Sequence, residues 1–166
     1  MSGKLKDEIK KVNGFDSLEQ EVVLNLFKTA DVLAADAAEV FKPSGLSPTQ
    51  YNVLRILRGE KAGCCPGGHV DPAAKGIACR EIGERLITRD PDITRLLDRL
   101  ESRGLITRGR DEKDRRVIAI RITEAGLELL ASLDEPVKQM HKKQLGHMSQ
   151  EKLRQLLELL EQARSR

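Results

Sequence analysis

Aromatic side chains are nearly missing from this sequence, which has three Phe, one Tyr and no Trp in 166 residues. Proteins that hold single-stranded nucleic acid stack bases on aromatic platforms, so that class is disfavoured at once. Three histidines leave little for acid–base work. No G-x-S-x-G, phosphate loop or H-E-x-x-H is present either, so the chain reads as a non-enzyme needing no cofactor. No segment reaches the roughly 18 consecutive apolar residues of a spanning helix. Lys4, Lys6, Lys10 and Lys11 are not followed by an apolar run, which fits neither a signal nor a transit peptide. Three cysteines, an odd number, suit a reducing interior better than a disulfide framework. The expectation is a cytoplasmic protein with no membrane partner.

What is abundant is charge, 33% of residues against 39% hydrophobic, in a length suited to a single domain over 1–166. The net charge of +3 is modest, but its placement is informative. Between Arg85 and Arg121 stand eleven basic and seven acidic residues, a surplus of four, and ten of the eleven are Arg. The planar guanidinium pairs bidentately with phosphates and with guanine edges, so this stretch is the candidate polyanion surface.

Apolar residues recur at three- and four-residue steps from Val22 to Phe41, predicting a long amphipathic helix over 18–41 that Pro43 and Gly45 stop. Ser47, Pro48 and Gln50 form a complete helix start, with Leu46 and Tyr51 placed as a hydrophobic staple. That second helix is predicted to run to Gly59. Residues 59–76, with five glycines and two prolines, read as a loop. A short helix over 79–86 follows, and its cap position, Ala78, has no side-chain oxygen. Asp90 is then expected to cap a fourth helix with Pro91 in its first position. Ile93, Leu96, Leu97 and Leu100 form its buried stripe, and Gly104 ends it. β-branched runs at 105–108 and 117–122 flank a charged tip and predict a hairpin. Thr123 opens a helix expected to bend or break near Pro136, and Ser149 caps a last, leucine-rich one.

This order is that of a winged helix-turn-helix core between helical arms: mainly α with a small β-hairpin wing, an α+β chain. In such a core a helix enters the major groove with its N-terminal residues toward the base edges. With the leucines inward, Pro91, Arg95, Asp98, Arg99 and Ser102 lie outward, flanked by Asp92 and Thr94. Arg95 is the candidate for a guanine, and Asp92 or Thr94 for a cytosine amino group or a thymine methyl. Thr88, Arg89 and the N–H groups near Asp90 suit phosphates. In the wing, Arg110, Lys113, Asp114, Arg115 and Arg116 form the tip, with Arg115 suited to a narrow minor groove and Asp114 bracing a neighbouring arginine. The competing reading is a solvated face on which Asp92 and Asp98 pair with Arg95 and Arg99.

The run Leu46-Ser47-Pro48-Thr49-Gln50-Tyr51-Asn52-Val53-Leu54, the run from Arg95 to Arg108, the D-x-x-D-R-R pattern of Asp111 to Arg116 and Ile122-Thr123-Glu124-Ala125-Gly126, taken in order, resemble the MarR family of bacterial transcription regulators. The resemblance spans residues 18–163. It implies a homodimer made by helices 18–41 and 123–163, and a DNA-binding lobe over 46–122 with its recognition helix at 90–103 and its wing at 105–122. It further implies a pseudo-palindromic DNA site, with Arg115 at the minor groove beside Asp114. Repression relieved by a small phenolic or lipophilic effector, bound between arms and lobe, is implied as well. Two departures stand out: the long 59–76 loop, and Ala78 where the family pattern often has a hydroxyl.

Other readings are a winged-helix module for protein contact, with the hairpin arginines on an acidic partner, and a redox- or metal-sensing regulator using Cys64, Cys65 and His69. Adjacent cysteines do not match the C-x₂₋₄-C spacing of structural zinc sites, so no metal is expected. Leucine- and alanine-rich segments at both ends exceed what a core of this size needs, which favours a partner copy of the chain.

Overall fold

The computed structural model describes residues 4–62, 76–88, 92–110 and 118–165, the side chains of residues 60–62 apart. A short helix α1 (Leu5–Glu8), which the sequence reading did not anticipate, precedes the long α2 (Leu18–Phe41). The Ser17 hydroxyl caps α2 by accepting from Gln20 N. A 3₁₀ turn, Lys42–Ser44, ends on Gly45 at φ +64°, a left-handed conformation that glycine adopts without steric cost. Helix α3 (Pro48–Ala62) then begins with the reciprocal box read from the sequence. Gln50 N donates to Ser47 Oγ at 3.1 Å and Ser47 N donates to Gln50 Oε1 at 2.9 Å. This helix passes Gly59, the expected end, by three residues.

A two-residue strand β1 (Ile77–Ala78) leads into α4 (Cys79–Arg85), and α5 (Ile93–Ser102), β2 (Ile106–Arg110), β3 (Ile118–Ile122), α6 (Glu124–Leu145) and α7 (Gln150–Arg164) complete the chain. The antiparallel sheet has the order β1-β3-β2, with Ile120 facing Ile77 on one side and Arg108 on the other. The sequence shows the hairpin but not β1, because two residues carry no period. As the sequence implied, α4 has no side-chain cap at Ala78.

Helix α5 starts later than predicted. Its cap is Asp92, whose carboxylate accepts from Arg95 N at 3.4 Å; Asp90 and Pro91, the expected start, lie outside the described residues. The end is as expected: Gly104 sits at φ +69°, Leu105 N donates to Leu100 O at 3.0 Å and Gly104 N to Glu101 O at 2.8 Å. This pair of bonds is the Schellman arrangement, and the buried Leu105 supplies its apolar contact. At Pro136 the expected break does not occur, since α6 runs on through it. Leu133 before it and Val137 and Met140 after it are all buried in the core. That packing on both sides holds the helix across the missing N–H.

One continuous core joins lobe and arm. Val53, Leu54 and Leu57 of α3, Ile82 of α4 and Leu96, Leu97 and Leu100 of α5 pack with the sheet isoleucines, and the cluster continues through Phe41 into α6. The Phe41 and Tyr51 rings stack at 4.5 Å, tying α2 to the first turn of α3. No helix among the described residues is long and apolar enough to cross a membrane.

Candidate nucleic-acid interface

Helix α5 buries Leu96, Leu97 and Leu100 and half-buries Ile93, which leaves Thr94, Arg95, Asp98, Arg99 and Ser102 exposed on its other side. The amphipathic pattern thus turns a cationic face outward from a rigid apolar backing. Arg95 Nε stands 3.2 Å from Asp92 Oδ2, so the cap also holds the arginine. The solvated-face reading holds for the Asp92–Arg95 pair but not for Asp98, which is not paired with Arg99. It is taken by Arg108 of β2, whose Nη2 lies 2.6 Å from Asp98 Oδ1. The same guanidinium donates to the Thr94 carbonyl at 3.3 Å and lies 3.5 Å from Glu101. Arg108 is therefore a clamp between wing strand and helix. By occupying both carboxylates it leaves Arg99 without an ionic partner among the described residues.

Two more arginines of the basic stretch have structural work. Arg103 donates to the carbonyls of Ser44 and Gly45 at 2.8 and 2.9 Å, docking the end of α5 on the turn before α3. Arg85 pairs with Glu81 along α4. Ile87 N donates to Asn52 Oδ1 at 3.1 Å, which pins the turn after α4 onto α3 and leaves Thr88 exposed. Arg110 is exposed at the end of β2, and Ile118 opposite it opens β3. Of the candidates read from the sequence, the structure places Thr88, Asp92, Thr94, Arg95, Arg99 and Arg110. Arg89, Asp90, Pro91, Lys113, Asp114, Arg115 and Arg116 lie outside the described residues. So do Cys64, Cys65 and His69; among the described residues no three metal-ligating side chains are grouped.

A second feature lies between lobe and arm. A cavity of about 530 Å³ is bounded by Phe41, Tyr51, Arg55, Ile87, Met140 and His141 among others. At its edge the Asp134 carboxylate of α6 accepts from both terminal nitrogens of Arg58 at 2.7 and 2.8 Å, with Arg55 3.8 Å away. The Arg58 hydrogen bonds hold the Asp134 carboxyl below its ordinary range, and the same contact raises the Arg58 guanidinium. Asp134 was missed in the sequence because its partner is 76 positions away.

A family model described as MarR family matches residues 73–118. The crystal structure of a MarR transcription factor from Planctomyces limnophilus is 44% identical, with 89% of this chain and 98% of that chain covered and a TM-score of 0.63. The transcriptional repressor MdtR of Bacillus subtilis is 28% identical over 67% of this chain and 63% of its own length. The chain spans from about half to under two thirds of the first curated relatives it matches. The fold is shared also with S. aureus MepR, solved as a DNA complex, at a TM-score of 0.69 and 20% identity over 84% of this chain and 93% of that one. The identity and coverage of the Planctomyces protein, with the matched region falling on β1, α4, α5 and β2, show that the chain belongs to the MarR family of winged helix-turn-helix transcriptional regulators.

Proposed function

We propose that this protein binds duplex DNA sequence-specifically as a homodimer and represses transcription until a small molecule releases it. The observation that carries the reading is the outward face of α5, where Thr94, Arg95 and Arg99 stand exposed while Arg108 spends its charge on holding the wing strand beside them. Arg95 and Thr94 are assigned to base edges. Thr88, Arg89 and Arg99 are assigned to backbone phosphates, with Asp90 and Pro91 beside them at the DNA surface and Asp92 fixing Arg95. Arg110, Lys113, Asp114, Arg115 and Arg116 are assigned to the wing contact, Arg115 in the minor groove.

Dimerisation is supported by α7, in which no residue is buried although Leu153, Leu156, Leu157, Leu159 and Leu160 lie along it. Leu157 is 56% and Leu159 62% exposed, and on α2 Phe27 is 69% exposed. Apolar surface of this kind on both α2 and α7 calls for a partner. The cavity between α2, α6 and α3 supports an effector site, being apolar on its Phe41, Tyr51 and Met140 side and bordered by His141, Arg55 and Lys138. A phenolic or lipophilic molecule fits such a lining.

Selection of bound duplexes from a random pool tests the reading. An inverted repeat with half-sites about one helical turn apart is the expected product. Recovery of no preferred sequence, or binding without dependence on salt, would overturn it.

A further inference from the structure

Gln50 is the buried polar side chain of the described structure, 8% exposed, and only half of its amide is accounted for. Oε1 accepts from Ser47 N at 2.9 Å, which fixes which end of the amide carries oxygen. Nε2 has no partner among the described residues, and a buried donor left in that state is destabilising. It lines a cavity of about 240 Å³ together with Ser47, Asp92, Arg95, Leu96 and Arg99.

The chemistry of this recess is one-sided. Arg99 adds a guanidinium with no partner among the described residues, and Arg95 adds a second. The 15-residue helix α3 opens here. Pro48 has no N–H and Gln50 N is capped by Ser47, so Thr49 N–H is the open donor of its first turn. Among the described residues Asp92 is the one carboxylate on the lining, and its oxygens stand 3.2 and 3.4 Å from Arg95 Nε and N. Several donors, a helix N-terminus and an orphaned neutral N–H at the wall together describe a seat for an anionic oxygen.

Given the DNA-binding function proposed above, on which this step rests, we infer that the recess clasps one backbone phosphate of the duplex, with Gln50 Nε2 and Arg99 as its donors. The contact comes from α3 as well as α5. It therefore fixes the depth and register of α5 in the groove, without itself reading sequence.

Gln50→Glu tests this without disturbing the fold, because glutamate at this position makes the same capping box while replacing the orphaned donor by a charged acceptor. Its melting temperature should be no lower than that of the unaltered chain, since the orphaned donor is removed and the carboxylate sits at a helix N-terminus. Its affinity should fall about tenfold or more on selected and unrelated duplexes alike. Arg99→Ala should lower the slope of log affinity against log salt by about one. With duplexes carrying a single methylphosphonate at successive positions, one position per half-site should weaken the unaltered chain and add nothing to the loss in Gln50→Glu. The same scan on Arg99→Ala, which is exposed and away from the cap, makes the test independent of helix stability. Undiminished binding by Gln50→Glu, or equal further losses at every neutralised phosphate, would overturn the phosphate seat and leave the functional reading standing. An unaltered chain that binds no duplex at low salt would overturn both.

Discussion

Asp134 shows how one side chain can report on the joint between arm and lobe. Its carboxyl is held down chiefly by the Arg58 hydrogen bonds, with the charges of Arg58 and Arg55 adding and desolvation opposing. A depressed folded value means that the ionised form stabilises the native state. The contribution is present above the unfolded value of about 3.9 and is lost as pH falls through the folded one. Asp134→Asn should therefore lower the urea midpoint at pH 6, and the gap to the unaltered chain should close as pH falls below about 4. The pair is partly exposed, at 47% for Asp134, so screening keeps the effect near 1 kcal/mol. A gap independent of pH would show that the carboxylate charge is not what matters. Arg95 makes the other residue-scale prediction. Arg95→Ala should cost about 1–3 kcal/mol on the selected sequence and much less on unrelated duplex; equal losses on both would move Arg95 from base to phosphate. Which arginines face outward was legible from the 3.6-residue period. Which were free was not, because Arg108 and Asp98 meet only after the chain has turned from helix to strand, and Arg103 reaches carbonyls 58 and 59 positions earlier.

Helix starts and stops were readable where a side chain supplies the missing bond. Ser47 with Gln50, Thr123 and Ser149 all cap as their positions predict. The α5 start is set by Asp92, which caps Arg95 N and pairs with the Arg95 side chain at once, two residues after the aspartate that the sequence pattern favoured. Strand β1 and the continuity of α6 through Pro136 escaped the sequence for one reason: both depend on what packs against the element rather than on its own pattern. The junction of β3 and α6 offers a direct test of such packing. Thr123 Oγ1 donates to Gly104 O at 2.7 Å, and Gly126 N donates to Thr123 Oγ1 at 3.1 Å. A β-carbon on Gly126 would run into the Leu105 carbonyl and come within 2.7 Å of Ile122 Cγ1. Alanine is the better helix former, yet Gly126→Ala should destabilise by about 1–3 kcal/mol through overpacking. Thermal melting decides: a rise in midpoint would mean that the wing and α6 approach less closely than described here.

At the scale of the whole molecule, the core explains the lobe and part of the arm, but not α7. Its leucines recur at a helical period, which made the helix legible; what they cover was not, because a self-packed helix and an intermolecular one share the same pattern. No residue of α7 is buried within its own chain, so its leucine face is the surface on which the proposed homodimer would form, and exposed Phe27, Val22 and Val23 on α2 add to the uncovered apolar area. A charge placed there tests the assembly while leaving the monomer core untouched, since Leu157 is outside the core cluster. Leu157→Glu should therefore keep the far-ultraviolet helical signal and the lobe fold while the mass by sedimentation falls from two chains to one. Affinity for a two-half-site duplex should collapse toward that for a single half-site, because the second contact is no longer tethered to the first. An intact dimer, or a monomer that still binds the full site with unchanged strength, would show that the coupling between half-sites does not run through α7.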